Sequence, residues 1–176
     1  YAGVLWYQGC SDTNPGPAEK YLEHFREYVE ATRKELGYEI PFFTMQLNRQ
    51  INGINDECWG MVRDAQARAA KEIPGVSVLT TSNLSLCDGI HNTAQANVAL
   101  GEKLAKQCAH VLNGKEEYQP PELVKVERAD EAERKSFQLE GSGIWLKLTC
   151  DHVKNCFLVY SAVGKDSGFT LTDSEG

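Results

Sequence analysis

Gly3-Val4-Leu5-Trp6-Tyr7-Gln8-Gly9-Cys10-Ser11-Asp12 is a short apolar run that passes directly into a polar, glycine-containing loop. Val4 to Tyr7 is continuously apolar and bounded by turn residues, the pattern of a buried strand. The same pattern recurs at Pro41 to Leu47 and at Val76 to Thr80. Between the first two runs, Leu22, Phe25, Val29, Thr32 and Leu36 fall on one helical stripe that begins near Ala18 and stops at Gly37. Glu57 to Glu72 puts Trp59, Val62, Ala65 and Ala69 on one side and is broken by Pro74-Gly75; Thr93 to Leu112 aligns Leu100, Leu104, Cys108 and Val111. Residues 3 to 112 therefore alternate strand and helix three times. That order predicts an α/β core of parallel strands with crossover helices. Sites in such sheets form beyond the carboxyl ends of the strands. Two polar clusters lie there, Gln8 to Asp12 after the first strand and Asp88-Gly89-Ile90-His91 after the third.

The pattern then changes. Tyr118 to Pro121 reads as a linker, and Leu123 to Arg128, Ser136 to Leu139, Ile144 to Thr149 and Asn155 to Val163 read as short strands with glycine-containing turns. The expected division is an α/β domain over 1–117 and the start of a β-rich, antiparallel accessory domain over 118–176.

The 176 residues are 41% hydrophobic and 24% charged, the balance of a soluble globular chain. A net charge of -7 argues against nucleic acid as a partner, because nothing neutralises phosphates in bulk. No apolar run approaches the ~20 residues of a membrane helix. The six cysteines form no CxxC pair, which leaves zinc and redox-motif chemistry without support. Cys150 and Cys156 flank an expected hairpin loop and could pair across it, whereas Cys108 reads as a small core residue.

A histidine with a carboxylate three positions earlier, in a loop before a helix, can be held in one tautomer by that carboxylate. His91 could then take a proton from a serine hydroxyl and return it to a leaving group, with Asp88 as its partner. The alternative is a turn shaped by Asp88 with His91 as a surface residue, since four-residue motifs arise often by accident. The Gln8 amide could donate to a developing oxyanion, and Gly9 permits close backbone approach. Ser11 lacks a G-x-S-x-G elbow and reads as turn chemistry. Trp59, Arg63, Asp64 and Gln66 form a further cluster. Arg63 and Gln66 share a helix face, where they could support an active-site loop, meet a substrate, or simply pair on the helix surface.

These blocks resemble a known family. Gly3 to Asp12 is similar to the G-x-x-W-Y-Q-G-E-S-N block of sialate O-acetylesterases and related carbohydrate acetylesterases of the SGNH hydrolase superfamily. Trp59-Gly-Met-Val-Arg-Asp-Ala-Gln66 resembles that family's W-x-x-x-R-x-A-Q helix. Asp88-Gly-Ile-His91, with Asn97 and Leu100-Gly-Glu-Lys-Leu-Ala105, resembles its D-x-x-H segment and following helix. Three blocks in the right order are far more specific than any one. The resemblance covers residues 3 to 113, and the C-terminal part is similar only in style to the family's β-rich extension. It implies a flavodoxin-like three-layer αβα core and a Ser-His-Asp hydrolase that removes acetyl groups from sugar hydroxyls without metal or cofactor. His91 would be the base, Asp88 its orienting partner, and Gln8 and Gly9 would lie at or near the oxyanion hole.

Cys10, Asp12 and Asn92 depart from the family's Glu, Asn and frequent Pro, none of them at a triad position. The family's nucleophilic Ser follows an earlier strand, so the expectation is an internal piece of a longer protein, lacking the first two strands and their helices, with the edge of the Val4 to Tyr7 strand bare. An extracytoplasmic setting is favoured by analogy alone. The rival reading is a carbohydrate-binding or scaffold protein on the same fold.

Overall fold

The computed structural model describes residues 1–114, 122–136, 145–151, 157–161 and 168–172. Three parallel strands, β1 (Val4–Trp6), β2 (Phe42–Met45) and β3 (Val76–Leu79), pair in chain order. Val4 lies opposite Phe42, and Phe42 opposite Val76, so the three strands start in line. Helices α1 (Pro17–Leu36) and α2 (Asp56–Glu72) connect them, and α3 (Ala94–Asn113) follows β3. The alternation read from the sequence is present, with element ends shifted by a residue or two.

The local chemistry explains the ends. Pro17 stands in the first turn of α1, where its missing N–H costs nothing. Gly37 closes that helix in the left-handed region and donates to the Arg33 carbonyl. Thr93 caps α3 by accepting from the Ala96 N–H.

Two apolar clusters take residues from opposite faces of β2. Phe42 belongs to one, with Tyr21, Phe25 and Val29 of α1 and Val62, Ala65 and Ala69 of α2. Met45 belongs to the other, with Leu79 of β3 and Ala96 and Leu100 of α3. Phe42 also receives Phe25 and Tyr28 edge-on, with ring centroids 6.2 and 5.7 Å away. That geometry adds to the area the rings bury. Tyr21 is a core residue that the helical stripe read from the sequence did not contain, whereas Leu36 is only half-buried. On α3, Val111 is exposed rather than part of the packed face.

Two short two-stranded segments follow. In one, β4 (Glu122–Arg128) pairs antiparallel with β5 (Leu146–Asp151). The expected strand at Ser136 to Leu139 is corrected at its first residue, because Ser136 ends a short helix, α4 (Glu131–Ser136). Asp130 and Glu133 cause this. Each side chain accepts from the other's backbone N–H, a reciprocal cap that starts a helix. Residues 137–139 lie outside the described set, as does Cys156, so pairing with Cys150 is not described. The other segment is a two-stranded ribbon of β6 (Phe157–Ser161) and β7 (Gly168–Thr172). By compactness the chain divides into one unit of residues 1–118 with 159–170 and another of 119–158 with 171–176.

Candidate active site

The loop after β3 is folded around one carboxylate. Asp88 Oδ1 accepts from the backbone N–H groups of Ile90 (2.8 Å) and His91 (2.7 Å), and its Oδ2 lies 2.7 Å from His91 Nδ1. This is an Asx-type turn, local enough to form from sequence alone. The backbone bonds, then the imidazole contact, hold the Asp88 carboxyl down at about 2. The carboxylate therefore stays ionised, fixes which ring nitrogen of His91 faces it, and leaves Nε2 free of it. Both side chains are more than half exposed, so the pair faces outward. The geometry joins the two chemical alternatives read from the sequence: Asp88 does shape a turn, and that turn orients the histidine.

The loop after β1 begins with Gln8 and Gly9 and continues into a single 3-10 turn, Cys10–Asp12. Gln8 Nε2 donates to Asp12 Oδ2 at 2.6 Å, which commits one of its two N–H groups. Gly9 is buried with φ 140°, and a Cβ there would lie 3.1 Å from both Gln66 Nε2 and Val62 Cγ1. Its close approach is therefore to α2, which sets the height of the loop. Burial pushes the Cys10 thiol up, and the nearby Asp88 carboxylate adds to the effect.

Three of the four residues in the helix cluster read from the sequence bond to loop residues. Gln66 is buried, not surface-paired with Arg63. It donates to the Gln8 carbonyl (2.9 Å) and accepts from the Leu47 N–H (2.8 Å). Trp59 is also buried and donates from Nε1 to the Asn48 carbonyl at 2.8 Å. Arg63 donates to the Ser82 hydroxyl, and its carbonyl accepts from Gln46. Asp64 stays on the surface, near Arg68. α2 thus carries the loops that follow β1, β2 and β3.

The sequence reading missed the loop after β2. Asn48 to Asn55 reads as plain polar loop, yet Asn48 and Gln50 are buried. Asn48 Nδ2 donates to the Leu84 carbonyl (3.2 Å) and to Asn92 Oδ1 (2.6 Å), and Arg49 donates to the Ser82 and Leu84 carbonyls. The only available signal is position, a polar run at the carboxyl end of the middle strand. Asn92 in turn donates to the Tyr7 hydroxyl at 3.0 Å, which links the His91 loop to the β1 loop.

A cleft of about 170 Å³ opens beside β1, lined by Trp6, Gln8, Asp12, Tyr21, His24 and Tyr28 among others, and it does not include Asp88 or His91. Ser11 is exposed, and among the described residues no serine hydroxyl is hydrogen-bonded to His91. Among the described residues no cluster of three or more His, Cys, Asp or Glu side chains could hold a metal ion. No described helix is long and apolar enough to cross a membrane.

Residues 1–110 match the family described as carbohydrate esterase, sialic acid-specific acetylesterase. The chain belongs to this family. Among solved structures, a carbohydrate acetylesterase from Xanthomonas citri superposes with a TM-score of 0.63 at 27% identity, over 73% of this chain and 30% of that one. A protein from Arabidopsis thaliana superposes with a TM-score of 0.54 at 26% identity, over 63% of this chain and 45% of that one. The chain thus spans less than half the length of either structure. No curated protein sequence matches it.

Proposed function

We propose that the complete protein is a serine esterase that removes O-acetyl groups from sugars. His91 acts as general base and then general acid, and Asp88 orients it and stabilises its charged form. The free N–H of Gln8 and the backbone at Gly9 lie at or near the site that receives the oxyanion. The nucleophilic serine comes from residues outside this chain. It attacks the acetyl carbonyl, its proton passes to His91, and the sugar hydroxyl leaves with that proton. Water then attacks the acetyl-serine, giving its proton to His91, and releases acetate and the serine.

The observation that carries this reading is the 2.7 Å contact between Asp88 Oδ2 and His91 Nδ1 within a chain of the carbohydrate esterase family. Apolar clusters on opposite faces of β2, at Phe42 and Met45, support a flavodoxin-like three-layer core. We place the domain division at 117/118 and the protein outside the cytoplasm, the latter because its substrates are glycans. The test is acetate release by the complete protein, followed by proton NMR, from O-acetylated sialic acid and acetylated xylan. Release from at least one of them is expected. Binding without release from either would favour a carbohydrate-binding protein instead.

A further inference from the structure

We propose that Asn92 is a positioning residue for this reaction, holding the His91 turn against the β1 loop through the Tyr7 hydroxyl; the inference rests on the functional reading above. Both polar atoms of its amide are engaged. Nδ2 donates to Tyr7 Oη (3.0 Å) and to Asn97 Oδ1 (3.1 Å), and Oδ1 accepts from Asn48 Nδ2 (2.6 Å). The partners fix which way the amide faces. Asn48 Oδ1 is taken by the Arg49 N–H, so Asn48 can offer only its N–H groups, and a flipped Asn92 would meet donor with donor.

The three partners come from three parts of the fold. Tyr7 follows β1, Asn48 lies beyond β2, and Asn97 is in the first turn of α3. Asn92 itself follows β3 and forms a bridge to Leu86 across the base of the Asp88 turn. One amide therefore ties the carboxyl ends of all three parallel strands together. The Asp88 turn is complete within itself, but its internal bonds do not aim it. A base works only within hydrogen-bond reach of the proton it takes, and misplacement by about 1 Å can cost about a hundredfold in rate. Tyr7 precedes Gln8 directly, so the Asn92–Tyr7 bond sets the distance between the base and the Gln8–Gly9 loop.

The experiment uses the complete protein and p-nitrophenyl acetate. Parent, Asn92→Ala, Tyr7→Phe, the double variant and His91→Ala are compared in kcat and KM, and Asp88 is titrated by carboxyl-carbon NMR. We expect each single variant to lower kcat about ten- to a hundredfold while KM stays within about twofold. The double variant should be no worse than Asn92→Ala, because both remove the same link. The Asp88 midpoint should stay at about 2, which reports an intact turn. A near-parental kcat in both single variants, with His91→Ala inactive, overturns this inference alone. So does an Asn92→Ala loss that Tyr7→Phe does not reproduce, or one accompanied by a rise of the Asp88 midpoint toward 3.8. Activity that survives in His91→Ala overturns the functional reading and this inference with it.

Discussion

Asp88 uses both carboxylate oxygens, one on two backbone N–H groups and one on an imidazole nitrogen. A carboxylate so bonded titrates at about 2 rather than 3.8. A folded value below the unfolded one means the turn is favoured fully above about pH 4, and that contribution is lost as pH falls through about 2. The backbone amides of Ile90 and His91 should therefore keep their folded NMR shifts down to pH 3 and lose them near pH 2. Loss centred near 3.8 would mean the carboxylate is not held as described. The sequence made this pair legible because its contacts span three residues. It did not reveal Asn48 or Asn92, whose partners lie far away in the chain. The polarity of Asn48 suggests solvent, but its burial comes from the strands and helices around it.

At the scale of elements, α2 is the support on which the loops of the site rest. Its apolar side was legible in Trp59, Val62, Ala65 and Ala69, but Gln66 lies buried beside them. A helix periodicity cannot distinguish a buried glutamine from an exposed one, because that depends on the backbone groups opposite. Replacing Gln66 with Leu keeps the volume and strands the Leu47 N–H, whereas the Gln8 carbonyl still accepts from the Tyr21 hydroxyl. Each unsatisfied buried group costs about 1–3 kcal/mol. Urea denaturation should show a loss of roughly 1–3 kcal/mol in Gln66→Leu. A loss below about 0.5 kcal/mol would mean that water satisfies the Leu47 N–H in place of Gln66. The helix at Glu131–Ser136 makes the opposite point. Its start is fixed locally by the reciprocal Asp130–Glu133 cap, which carries the helix on to Ser136, the first residue of the expected strand.

At the scale of the molecule, the α/β order was legible because each strand is a short apolar run and each helix carries a regular stripe. Fold class follows from that order, but the partners of the outermost strand do not. β1 bonds to β2 on one side, and among the described residues no strand pairs with its other side. Leu5, at its centre, is 58% exposed. An open apolar edge favours association. The isolated chain should sediment as a concentration-dependent mixture above the monomer, and Leu5→Lys should shift it toward monomer. A parental chain that is monomeric at all concentrations would contradict this view of the edge.

The central claim is that His91, oriented by Asp88, is the base of an acetylesterase. Its most direct test is the kcat for acetate release from an O-acetylated sugar by the complete protein and by its His91→Ala variant, each confirmed to be folded. A general base in this position contributes roughly 10²–10⁴-fold. A fall of that size is the result predicted here. A variant whose kcat stays within a few-fold of the parent would contradict the assignment of His91.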